Sequence, residues 1–127
     1  MIISIIIATY NSEKFLQKCL RSIRVQKIQG VELIIVDNES SDKTSEIIGN
    51  NKDIVDNFIC ERDDGIYDAW NKGLNVARGD WIMFMGSDDT LMHDTIEYYL
   101  SLNLQPGKHD YVAPIINMVN HSGNLVK

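Results

Sequence analysis

Trp81-Ile82-Met83-Phe84-Met85-Gly86-Ser87-Asp88-Asp89 joins an unbroken apolar run to a turn of small residues that carries two adjacent carboxylates. The run holds five consecutive apolar residues. They spell a strand with both faces buried, which belongs inside a mainly parallel α/β sheet. In that architecture ligands bind beyond the carboxyl ends of the strands. Asp88 and Asp89 are therefore expected on the functional rim of the sheet, where paired carboxylates suit a divalent cation.

Outward from this run, strand and helix signals alternate along the chain, the pattern of βαβ units. A strand is expected over Ile2 to Ala8. It leads into a helix with Phe15, Leu16, Cys19, Leu20 and Ile23 at helical spacing and Asn11 or Ser12 as N-cap. A second strand, Glu32 to Val36, ends at Asp37. The polar turn Asn38 to Ser41 follows, then a short helix from near Asp42 that Gly49 and Asn50 close. A weaker strand covers Asn57 to Cys60, and the charged loop Glu61 to Asp64 runs into Gly65. The next helix, Ile66 to Ala77, puts Ile66, Ala69, Trp70, Gly73 and Ala77 along one side, with Gly79 as its stop. A glycine inside a helix costs about 1 kcal/mol against alanine, so Gly73 is expected to mark a close backbone approach. After the Trp81 strand come a helix over His93 to Leu102, a turn at Pro106 and Gly107, and a strand over Tyr111 to Ile116 that Pro114 makes an edge or a bent one.

At 127 residues and 44% apolar content, the chain is read as one domain over residues 1–127. Twelve Lys and Arg against 18 Asp and Glu leave a formal charge of −6, which argues against DNA or RNA as partner. The opening Ile2 to Ile7 lacks a preceding basic segment and meets polar Thr9 and Asn11. It reads as a strand, neither signal peptide nor membrane span. Cys19 and Cys60 sit among apolar neighbours and are read as reduced core residues of a cytoplasmic protein. Lys14, Lys18 and Arg21 form a basic stripe on the first helix. It is read as a solvated face, with peripheral contact at the inner face of a membrane as the alternative.

Parallel strands bring their polar ends together: Thr9, Tyr10 and Asn11 after the first, Asp37 and Asn38 after the second, Asp88 and Asp89 after the fourth. The helices starting near Ser12 and Asp42 aim N-terminal amides at the same crest, which suits phosphate or carboxylate. A crest holding Asp37, Asp63, Asp88 and Asp89 repels a diphosphate unless a cation intervenes. Mg²⁺ or Mn²⁺ fits that role, since both take oxygen ligands and are held by one or two carboxylates plus substrate phosphates. Zinc lacks a His or Cys cluster here. The chain also has no G-x-x-x-x-G-K-[ST] loop, and its first turn lacks G-x-G-x-x-G.

Four blocks in order resemble the family-2 glycosyltransferases of the GT-A fold: Ser4 to Asn11 (S-I-I-I-A-T-Y-N), Glu32 to Thr44 (E-L-I-I-V-D-N-E-S-S-D-K-T), Asp63 to Gly73 (D-D-G-I-Y-D-A-W-N-K-G) and Gly79 to Asp89. The resemblance implies a Rossmann-like, mainly parallel sheet flanked by helices. It also implies a nucleoside-diphosphate-sugar donor, UDP favoured, with transfer to a glycan, lipid-linked or protein acceptor. By the same resemblance Thr9 and Asn11 line the nucleotide pocket, Asp37 contacts the base, and Asp63 is a further acid near it. Gly65 and Asn71 meet the diphosphate and sugar. Asp88 and Asp89 match a D-x-D-type pair, the first facing ribose or sugar and the second holding the metal. The pattern departs at Asn38, where the family often has a second aspartate, and at Arg62 and Asp64, where it often has Pro and Lys.

Family members continue past their metal pair into a region that binds the acceptor and supplies an acidic general base, whereas this sequence ends at Lys127. No base is assigned, because one must reach the attacking hydroxyl. His93 and Asp94 are nearest in sequence, and His93 is read as a solvated or helix-start residue. Three other readings compete. A sugar-phosphate nucleotidyltransferase needs a Gly-rich basic loop where Thr9, Tyr10 and Asn11 stand. A receiver-like module needs acids at the end of the first strand. A donor-binding remnant without catalysis shares every feature named.

Overall fold

The computed structural model describes residues 2–109, 111, 112, 118, 122 and 125. Four strands and four helices alternate: β1 (Ile3–Thr9), α1 (Leu16–Arg24), β2 (Val31–Asp37), α2 (Thr44–Asn50), β3 (Asn57–Cys60), α3 (Ile66–Val76), β4 (Trp81–Gly86) and α4 (Thr95–Ser101). All strand pairs are parallel, in the order β3-β2-β1-β4. This is the α/β class expected from the alternation. β1 sits between β2 and β4 with Ile7 level with Ile35 and Met85, and Thr9 level with Asp37.

Alternation along β1 and β2 divides the core in two. Ile3, Ile5, Ile7, Leu33 and Ile35 pack with Leu16, Cys19, Leu20, Ile23, Ile48 and Ile96 from α1, α2 and α4. Ile6, Ile34 and Val36 face the other way, onto Ala69 of α3. Gly73 explains how α3 lies so near that face, since a Cβ built there would stand 2.5 Å from Ile6 Cγ2. The close approach read from this glycine is present.

The Trp81 strand departs from its reading. Trp81, Met83 and Met85 join the larger core, but Ile82 and Phe84 on the opposite face are 36% and 42% exposed. β4 is the outer strand of the described sheet, and Trp70 of α3 stacks on Phe84 at 4.5 Å between centroids. Full burial on both faces belongs to β1 and β2 instead.

Helix boundaries also shift. α1 begins at Leu16, with neither Asn11 nor Ser12 capping it through a side chain; its first turn hangs on the Ser12 carbonyl, which accepts from Leu16 N at 3.1 Å. α2 begins at Thr44 and keeps Gly49 and Asn50 inside it. α4 starts at Thr95, two residues after His93. Cys60 is exposed, not core, because it ends the outer strand β3. Gly107 turns with φ +85° as expected. Of the strand expected over 111–116, residues 113–116 lie outside the described residues, and Tyr111 and Val112 are not in a strand. Among the described residues no helix is long and apolar enough to cross a membrane.

Candidate functional site

The chain steps from β1 outward to β2 and β3, then returns to place β4 on the other side of β1. The strand order therefore switches direction beside β1, and the crevice above its carboxyl end is where such sheets bind ligands. Thr9, Asp37 and the Gly86–Asp89 turn all stand at that end.

Two loops are tied together there by side chains. Thr9 Oγ1 donates to Asp37 Oδ1 at 2.6 Å, and Ser40 donates to the same carboxylate through its hydroxyl (2.6 Å) and its backbone N–H (2.9 Å). Asp37 is fully buried. Asn11 takes φ +45°, and its Oδ1 accepts from Ser41 N at 2.9 Å while its own N–H donates to Ser40 Oγ at 2.8 Å. Asn11 thus joins the two loops. Ser12 reaches the opposite side of the crevice, its Oγ 3.0 Å from Ser87 Oγ.

A groove of about 270 Å³ opens beside these loops, lined by Ala8, Thr9, Tyr10, Asn38, Asp63, Gly65, Ile66 and Ala69. Of the residues singled out from sequence, Thr9, Asp63 and Gly65 line it; Asn11, Asp37 and Asn71 do not. Asn71 is exposed on α3. Asn38 is a lining residue that the sequence reading passed over as a site residue. Its Oδ1 accepts from Asp63 N at 2.9 Å, which fixes the amide and leaves its NH₂ as a donor. Strand alternation carries the signal: with Asp37 turned inward, the next side chain turns out.

Gly65 takes φ +117° at the N-cap of α3, a conformation that favours glycine, and donates to Asp63 Oδ1 at 2.9 Å. Gly65 and Ile66, at the start of this eleven-residue helix, line the groove, so the helix N-terminus lies beside it. The sequence assigned that role to α1 and α2. Lys72 braces the loop before Gly65, donating to Arg62 O at 2.6 Å and pairing with Glu61 and Asp68.

Asp88 and Asp89 are exposed at the end of β4. Asp89 folds back so that Oδ2 accepts from Gly86 N at 2.9 Å. Beneath the turn, the buried Cys19 thiol lies 3.7 Å from Gly86 O. Burial, and then the charges of Asp89 and Asp88, push that thiol up to about 12. Among the described residues no three His, Cys, Asp or Glu side chains cluster to hold a metal. Two neighbouring carboxylates are nonetheless the donor set that Mg²⁺ or Mn²⁺ uses when substrate phosphates complete the shell. The pair fits a cation shared with a ligand. His93 is exposed, its Nδ1 2.6 Å from Asp94 Oδ2, in keeping with its solvated reading.

The family model for glycosyl transferase family 2 matches residues 4–124. An uncharacterized glycosyltransferase of Haemophilus influenzae is 41% identical over 110 residues, 82% of this chain and 43% of that protein. Staphylococcus aureus TarS 1-349, solved with UDP-GlcNAc, superposes with a TM-score of 0.74 at 27% identity, covering 80% of this chain and 30% of that one. A mannosyltransferase of Pyrobaculum calidifontis, solved with GDP-Man and Mn²⁺, shares the fold at TM-score 0.72 and 21% identity, covering 82% and 32%. The chain thus spans less than half the length of these relatives. With the parallel sheet, the switch-point crevice and the family match over nearly its whole length, this chain belongs to glycosyl transferase family 2.

Proposed function

We propose that the chain is the donor-binding part of a metal-dependent, inverting glycosyltransferase that takes a nucleoside-diphosphate sugar, UDP favoured, for glycan or polysaccharide synthesis. One observation carries this reading: a groove lined by Thr9, Asn38, Asp63 and Gly65 opens at the same sheet edge as Asp88 and Asp89. The groove suits a nucleoside, with Ala8, Ala69 and Ile66 as apolar walls and the Asn38 amide and Asp63 carboxylate as donor and acceptor for polar edges. The amides opening α3 favour the anionic diphosphate. Asp88 and Asp89 would hold the cation, Asp89 foremost, with Asp88 toward ribose or sugar. When bound, Mn²⁺ or Mg²⁺ supplies charge stabilisation to the departing nucleoside diphosphate.

Inversion follows from a single displacement by an acceptor hydroxyl at the anomeric carbon, its proton leaving to a base. No described residue is assigned that role. A cytoplasmic location, at the inner face of the membrane, is in keeping with free thiols at Cys19 and Cys60.

Saturation-transfer NMR with UDP-, GDP-, dTDP- and CDP-sugars in the presence of Mn²⁺ tests the reading. The expected result is transfer to the base protons of one nucleotide sugar, lost in Asp63→Ala. Silence from all four contradicts it.

A further inference from the structure

We infer that Asp37 is a positioning residue, which shapes the nucleoside groove by clamping the β1 and β2 loops and never touches the donor. The inference rests on the donor-binding reading above and departs from the base contact that family resemblance implies for this aspartate. Asp37 has no exposed surface. Its Oδ1 accepts from Thr9 Oγ1 and Ser40 Oγ, both at 2.6 Å. Its Oδ2 accepts from Ser40 N at 2.9 Å and faces the Cys60 thiol at 3.8 Å. A carboxylate offers about four acceptor positions, and here four donors stand against it. A base N–H would have to displace one of them and enter a space the loops close.

The clamp reaches residues that do face the groove. Thr9 lines it directly, and Asn38 lies between Asp37 and Ser40 in the turn the carboxylate closes. Asn38 N donates to Thr9 O at 3.0 Å, so the same turn is stitched to β1 by backbone. Ser40 Oγ, which donates to Asp37, also accepts from Asn11 N, and Asn11 Oδ1 accepts from Ser41 N. Removing the charge at position 37 loosens both loops, though only one carries the change.

Two measurements separate positioning from contact. UDP and N3-methyl-UDP are titrated calorimetrically with Mn²⁺ into wild type, Asp37→Asn, Thr9→Val and the double variant. Asp37→Asn is expected to weaken UDP about tenfold, as loss of a charged hydrogen-bond acceptor does. The ratio between the two ligands should stay within about twofold of wild type, and the double variant should be no worse than the weaker single one, as members of one network behave. A ratio that collapses to one in Asp37→Asn, or effects that multiply, overturns the inference. Hydrogen exchange of the nucleotide-free protein is the second measurement. The Asn11 and Ser41 amides should exchange faster in Asp37→Asn and in Thr9→Val, but not in Thr9→Ser, which keeps the hydroxyl. Wild-type protection in the first two variants overturns it as well. If wild type binds no nucleotide, the donor-site reading fails, and the exchange measurement alone decides the role of Asp37.

Discussion

Asp89 Oδ2 accepts a hydrogen bond from Gly86 N at 2.9 Å, so the carboxylate expected to hold a cation is itself held by the strand that presents it. A Cβ at position 86 would stand 2.8 Å from that oxygen and 3.0 Å from Asp88 Oδ1. Both atoms end flexible side chains and would swing aside. Gly86→Ala is therefore expected to change stability by less than about 1 kcal/mol while displacing both carboxylates. The thermal midpoint should shift by no more than about 5 °C, and Mn²⁺-dependent UDP affinity should fall about tenfold, a factor worth about 1.4 kcal/mol.

Gly73→Ala has the opposite profile. Its added methyl meets Ile6 Cγ2 at 2.5 Å, with Val36 Cγ2 3.5 Å away, inside the packed face between α3 and the sheet. Overpacking of this kind costs about 1–3 kcal/mol. Urea unfolding should show a lower midpoint at unchanged slope, and a midpoint equal to wild type contradicts the packing described.

The amino end of the sheet carries a latch that makes stability depend on pH. Burial disfavours ionised Glu32. Hydrogen bonds from Arg78 N, Ser4 Oγ and the Arg78 guanidinium outweigh it and hold the carboxyl below its usual 4.5. A depressed carboxylate stabilises the fold above the unfolded-state pKa and loses that contribution as pH falls through the folded one. Stability should thus decline below about pH 4.5. Glu32→Gln should be less stable by about 1–3 kcal/mol at pH 7 and show a shallower acid limb in chemical unfolding followed from pH 7 to pH 3.

The two thiols should behave differently. Cys19 is buried and pushed up to about 12, so native protein should resist alkylation there until it unfolds. Cys60 is exposed, yet partial burial and the neighbouring Asp37 charge raise its pKa, so it should react alone and slowly at pH 8. Iodoacetamide labelling followed by peptide mass mapping checks both.

Much of this was legible in sequence because parallel strands leave little freedom: β-α alternation dictated the sheet, and the sheet dictated which ends converge. The Trp81–Met85 run named the class correctly but overstated its own burial, since hydrophobic pattern does not reveal that β4 lies outermost among the described strands. Asn11 and Asp37 were recognisable as rim residues. Whether a rim side chain faces ligand or fastens a neighbouring loop depends on cross-loop partners 28 and 30 residues away, which local pattern does not encode. Asn38 was within reach, one step along a strand from an inward-turned aspartate. The start of α3 was missed because only the helices beginning near Ser12 and Asp42 were read as aiming their N-termini at the crest.

The proposed donor site works through a shared cation. Its most direct test is calorimetric titration of UDP, GDP, dTDP and CDP, with and without Mn²⁺, into wild type and Asp89→Ala. One nucleoside diphosphate, UDP foremost, is expected to bind wild type only with Mn²⁺ and to fail to bind Asp89→Ala. Equal binding without metal, or no binding of any of the four, contradicts it.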